Sequence, residues 1–146
     1  MSEAIDLDRY FPYFLGTISN KWTAISSREY LREFGVGISE WRVLASLASL
    51  GSANSNEIVK LIAMDPGAVS RCMTKLERAH LVAPVPGLFS GRSKPFELTE
   101  SGRELTGRIK QRALEREGRL LAGLTHEERE QLLRLMRAVI TNLSEL

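Results

Sequence analysis

The stretch Asp65-Pro-Gly-Ala-Val-Ser-Arg-Cys-Met-Thr-Lys-Leu-Glu-Arg-Ala-His-Leu81 constrains this chain more than any other. Asp65 is placed to accept a bond from a free first-turn amide, and Pro66 fits the first helical position, where a missing N–H costs nothing. Val69, Cys72, Met73, Leu76 and Ala79 recur at helical spacing and predict one buried stripe. The opposite face carries Gly67, Ser70, Arg71, Thr74, Lys75 and Arg78: small residues first, hydroxyls next, then positive charge. Such a face suits a DNA major groove, where phosphates attract Arg and Lys and base edges meet short hydrogen-bonding groups. An ordinary surface helix with a solvated charged face has the same pattern, so the flanks have to separate the two.

Upstream, Ser39 is expected to cap a helix over 40–49 with Trp41, Val43, Leu44 and Leu47 inward, broken by Gly51-Ser-Ala-Asn54. Asn54-Ser-Asn-Glu57 is a capping-box pattern, in which each end residue serves the other's amide. It opens a short helix carrying Ile58, Leu61 and Ile62, which gives out near Ala63-Met64. Two short helices joined by a tight turn, the second one basic, make a helix-turn-helix. After Leu81 the period changes. Leu81-Val-Ala-Pro-Val-Pro86 is extended, because each proline pushes its predecessor away from the helical region. Gly87 to Lys94 is a turn-rich tip and Pro95-Phe-Glu-Leu98 the return strand of a small hairpin. Within the tip, Gly87-x-x-x-Gly91-Arg92-Ser93 is one residue short of a phosphate-cradling loop and lacks its lysine.

Long helices are expected at both ends. Leu7, Phe11, Phe14, Ile18, Trp22, Ile25 and Leu31 keep a three-to-four spacing to Phe34, with a bend expected at Pro12 or Gly16 and a stop at Gly35-Val-Gly37. Thr99-Glu-Ser-Gly102 starts another helix that runs to about Ala122, with Leu105, Ile109, Leu114 and Leu121 as its apolar set. Thr125-x-x-Glu128, a second capping box, opens a last helix with Leu132, Leu133, Leu135, Met136, Val139, Ile140 and Leu143. So wide an apolar surface on a terminal helix calls for a partner chain.

Charge supports the central helix. Residues 1–57 hold 5 basic and 7 acidic side chains, residues 58–98 hold 6 and 3, and residues 99–146 hold 9 and 8. The positive excess gathers where a polyanion would bind. The single cysteine, Cys72, excludes an intramolecular disulfide, and two histidines define no metal-ligand spacing. Ser70, Cys72, His80 and His126 offer no base-and-orienter pattern for an enzyme, so no catalytic residue and no cofactor is expected. No run of 18 apolar residues spans a membrane, and the acidic start is not a signal peptide, so a cytoplasmic protein is expected.

Ser39-Glu-Trp-Arg-Val-Leu44, Asn54-x-x-Glu57-Ile-Val, Asp65-Pro-Gly-Ala-Val-Ser-Arg71 with Leu76-Glu-x-x-x-Leu-Val82, and Leu98-Thr-Glu-Ser-Gly102 stand in the order and spacing of the MarR (multiple antibiotic resistance regulator) family, which the chain resembles along nearly its whole length. The resemblance implies a mainly α fold with a small β-hairpin, a winged helix-turn-helix over 39–98, and dimerisation helices over 7–34 and 99–146 in one domain. It implies a cytoplasmic homodimeric repressor on pseudo-palindromic double-stranded DNA, released by a small aromatic or anionic effector. DNA contacts are expected from Asn54, Pro66, Gly67, Ala68, Ser70, Arg71, Thr74, Lys75, Arg92 and Lys94, and an effector pocket from Phe14, Trp22, Trp41 and Arg42. The wing departs from the family, whose ion-pairing Asp is here Ser90, before Arg92. A winged helix that binds protein and not DNA is the alternative.

Overall fold

The structure is a computed structural model that describes residues 3–87 and 94–146. Helix α1 (Phe11–Phe34) follows a 3-10 turn at Leu7–Arg9; then come α2 (Ile38–Leu50), α3 (Ser55–Ile62), α4 (Pro66–Arg78), β1 (Val82–Pro84), β2 (Phe96–Leu98), α5 (Glu100–Leu120) and α6 (His126–Leu143). This is the expected helical fold with one small antiparallel sheet, in which Val82 faces Leu98, Ala83 faces Glu97 and Pro84 faces Phe96. The chain divides after Lys110 into two compact units.

In the first unit, Tyr30, Val43, Leu44, Leu47, Ile58, Val69, Leu76, Val82 and Ile109 are almost wholly buried. Each aliphatic side chain so buried contributes roughly 1.5–3 kcal/mol. Helices α2, α3 and α4 pack on one another, and α4 follows its predicted stripe as far as Leu76. Ala79, expected on that stripe, is instead the exposed cap residue, because the helix ends at Arg78. His80 follows in a left-handed conformation (φ 58°).

Several local expectations give way to the observed geometry. Pro12 stands in the first turn of α1, so it opens the helix and does not bend it; Gly16 lies within the continuous helix. Gly35 ends α1 in a left-handed conformation (φ 73°) that costs a glycine nothing. Ser39 caps nothing: α2 starts one residue before it, with extended Gly37 as N-cap. Leu61 on α3 and Leu114 on α5 are exposed despite their helical spacing. Unanticipated from the sequence is a bridge in which Ala53 and Phe96 exchange backbone bonds (3.0 and 2.9 Å), tying the α2–α3 connection to the hairpin.

In the second unit, the end of α5 leads through a short turn to α6. Thr125 and Glu128 form the predicted capping box, with Thr125 Oγ1 accepting from the Glu128 amide (3.1 Å) and Glu128 Oε1 from the Thr125 amide (3.0 Å). No residue of α6 is buried in the single chain, and Leu132, Leu133, Leu135, Ile140 and Leu143 are exposed.

Candidate nucleic-acid interface

The site is built on two helix N-termini. At α3, Asn54 Oδ1 accepts from the Glu57 amide (2.9 Å) while Glu57 Oε1 accepts from the Asn54 amide (3.2 Å), so the predicted box forms and the Asn54 carbonyl oxygen is committed to it. At α4, Asp65 Oδ2 accepts from the Ala68 amide (3.1 Å) with Pro66 in the first turn. Free first-turn amides at both ends make positive poles for phosphate. Between them lies a concavity of about 600 Å3, lined by Ser55, Asn56, Pro66, Gly67, Ser70 and Lys94 among others. Ser55 and Asn56 were missed by the sequence reading, although their place in the turn after a capping box was the available signal. Lys94 Nζ stands 5.7 Å from the centre of the Phe96 ring, which steadies the ammonium by cation–π attraction.

Further along α4, Ser70, Arg71, Thr74, Lys75 and Arg78 share a second concave surface of about 320 Å3. Arg78 belongs to this set on geometry, beyond the residues expected as contacts. Gly67 is what lets Arg71 lie back along the first turn: a Cβ there would stand 3.2 Å from Arg71 Nη1 and 3.0 Å from Asp65 Oδ2. Thr74 donates its hydroxyl to the Ser70 carbonyl (3.1 Å), which leaves its oxygen able to accept but not to donate. Arg92 and Ser90 lie outside the described residues.

Lys75 is not a free cation. Its Nζ pairs with Glu40 Oε1 of α2 at 2.8 Å, and the Glu40 side chain is only 13% exposed. Burial pushes the Glu40 carboxyl up, but the hydrogen bond from Lys75, the backbone bonds and the lysine charge outweigh it, so the group stays below its ordinary value of 4.5. Lys75 is raised in turn by the same bond. A depressed carboxylate contributes stability above its unfolded value and loses it as pH falls through the folded one. Glu40→Gln should therefore lower stability above about pH 4.5, by no more than about 1 kcal/mol because Lys75 is solvated, and the difference from the parent should vanish in more acid solution. Denaturant midpoints at pH 7 and pH 3 check this; an equal gap at both would remove the ionic explanation.

Cys72 is buried beneath this pair, and burial, followed by the Glu40 charge, raises its thiol above 9.0. Native Cys72 should react with a neutral thiol reagent far more slowly than the unfolded chain. Equal rates would show the stripe to be open.

Of the residues expected to hold an effector, Phe14 and Trp22 lie on α1 and Trp41 and Arg42 on α2. Trp41 sets its ring edge-on to Tyr30 with centroids 6.4 Å apart, and Arg42 Nη2 donates to Thr23 Oγ1 at 3.4 Å. Phe14 is exposed on α1 and Trp22 half-buried. Among the described residues no three His, Cys, Asp or Glu side chains are placed to share a metal ion, and no helix is long and apolar enough to cross a membrane.

Comparison with known proteins agrees with the geometry. The sequence model of the MarR family matches residues 37–85. An HTH-type transcriptional repressor of Mycobacterium tuberculosis is 30% identical over 106 residues, 73% of this chain and 76% of its own length. The crystal structure of a MarR/EmrR family transcriptional regulator from Acinetobacter sp. ADP1 superposes with a TM-score of 0.89 at 30% identity, over 97% of this chain and all of that one. The S. aureus MepR–DNA complex shares the fold, with a TM-score of 0.77 at 22% identity over 93% of this chain and 98% of that one.

Proposed function

This chain belongs to the MarR family, and on that premise we propose that it represses transcription by binding operator DNA as a homodimer in the cytoplasm. Helix α4 enters the major groove, with Arg71 and Ser70 toward base edges and Lys75 and Arg78 toward phosphates. The N-termini of α3 and α4, with Lys94, hold the flanking backbone; Arg92 reaches the minor groove. The observation that carries this reading is the exposed face of α4, where three cations and two hydroxyls share one concave surface beside two helix N-termini.

The dimer is supported separately within each unit. Phe11, Phe14, Leu15 and Ile18 stand exposed on α1, and α6 exposes its leucines, more apolar surface than a solitary chain leaves in water. Two α4 helices related by a two-fold axis then meet successive major grooves about 10 base pairs apart. A small effector that separates them would release the operator.

Selection of duplexes from a random pool tests the proposal. Enrichment of a pseudo-palindrome, bound by a species of twice the chain mass of 16.4 kDa in sedimentation, is expected. Failure to enrich any duplex at low salt would leave α4 as a protein-binding surface.

A further inference from the structure

We infer that Thr74 reads an A·T base pair in each half-site, beside the pair read by Arg71. The inference deepens the proposed function and rests on its placement of α4 in the major groove. On the concave face of α4, the side chains of Arg71, Lys75 and Arg78 can only donate hydrogen bonds. Base edges in the major groove also donate, through adenine N6 and cytosine N4, and those groups need an acceptor from the protein. Ser70 and Thr74 are the two side chains of that face with an oxygen to offer. A serine hydroxyl turns to either role, so Ser70 selects little.

Thr74 is different, because its hydroxyl is already committed. It is exposed on α4, one turn beyond Ser70, and its Oγ1 donates to the Ser70 carbonyl at 3.1 Å. A hydroxyl has one hydrogen, so the oxygen keeps only lone pairs for an outside group. Guanine N7 and O6 and thymine O4 are acceptors. Meeting one of them would set acceptor against acceptor or break the bond to Ser70. Adenine and cytosine both satisfy the oxygen, and the methyl group of Thr74 decides between them. The bond to Ser70 holds χ1 of this β-branched side chain, so the methyl is fixed together with the oxygen. Of the two bases, only adenine brings a partner, thymine, whose C5-methyl a threonine methyl can touch. An A·T pair therefore uses both branches of the side chain. Cβ atoms three residues apart on a helix lie about 5–6 Å from each other, and base pairs rise about 3.4 Å, so this pair stands within two steps of the one read by Arg71.

Duplexes selected from the random pool, remade with single-base analogues, test this on the full chain. Purine in place of adenine removes the N6 amino group, and uracil in place of thymine removes the C5-methyl. Arg71→Ala first locates its own position as the one where discrimination collapses. At one A·T pair within two steps of it, purine should weaken binding of the parent by about three- to tenfold, the loss of one hydrogen bond. Thr74→Val keeps the methyl without the acceptor, so purine there should cost it no more than purine at an uncontacted A·T pair. Uracil at the same pair should cost the parent and Thr74→Val alike, and Thr74→Ser nothing. If Arg71→Ala behaves as expected but Thr74→Val keeps the parent's response to purine at every pair, the assignment of Thr74 falls and the operator reading stands. A G·C preference at the position that Thr74→Val relaxes would also overturn the assignment. Enrichment of no duplex would remove both readings.

Discussion

Gly102→Ala is expected to destabilise the first unit by about 3 kcal/mol, the upper end for overpacking, and to lower the melting temperature by roughly 10 °C. The cause is a backbone contact. A Cβ on Gly102 would lie 2.0 Å from the Leu81 carbonyl oxygen, where no side chain can swing aside. The approach is held by three bonds: the Thr99 amide donates to the Leu81 carbonyl (3.0 Å), the Thr99 hydroxyl to the His80 carbonyl (2.7 Å), and the Gly102 amide to Thr99 Oγ1 (3.0 Å). Thr99 thus caps α5 and also fastens it to the turn that leaves α4. Relief would require moving α5 away from that turn, and with it the hairpin that the same turn begins. Thermal unfolding of Gly102→Ala beside Gly107→Ala gives the contrast. The first should fall steeply, and the second should rise or stay level, because its Cβ meets open space. Equal behaviour would mean that α5 does not approach Leu81 so closely.

Features decided within four residues were legible in the sequence. The boxes at Asn54 and Thr125, the Asp65-Pro66 opening of α4 and the Gly35 stop each join a side chain or φ preference to the neighbouring amides, and all four form as expected. Ser39 failed on the same local rule, because the Glu40 carboxylate serves the Gly37 amide instead. Contacts between distant residues had no local signal. The Ala53–Phe96 bridge joins residues 43 apart, and the Lys75–Glu40 pair residues 35 apart. Helical period marked Leu61 and Leu114 as core because it reports a face and not whether anything covers that face. On α4 the pattern identified the exposed chemistry correctly, but it could not show that Lys75 already has a partner while Arg71 lies back along Gly67.

That difference sets the second expected result. Arg71→Ala should cost about 1–3 kcal/mol of operator affinity, roughly five- to 150-fold, and do so mainly through base preference. Arg71 is exposed at the N-terminal half of α4, the part of a recognition helix that meets base edges, and its guanidinium fork matches two acceptors on a guanine. Lys75→Ala should instead weaken all duplexes alike, and by less, because moving Lys75 to a phosphate also gives up its bond to Glu40. Replacing Gly67 with Ala should mimic part of the Arg71 defect, since the added methyl displaces the guanidinium.

Position-by-position affinity of the parent and Arg71→Ala for every single-base variant of the selected operator tests the placement of α4 most directly. The placement predicts that discrimination collapses at one position in each half-site, the two related by the operator's symmetry, while all other positions keep theirs. A uniform loss of affinity with every preference intact would contradict it, and would mean that Arg71 grips phosphate and that α4 does not read the groove.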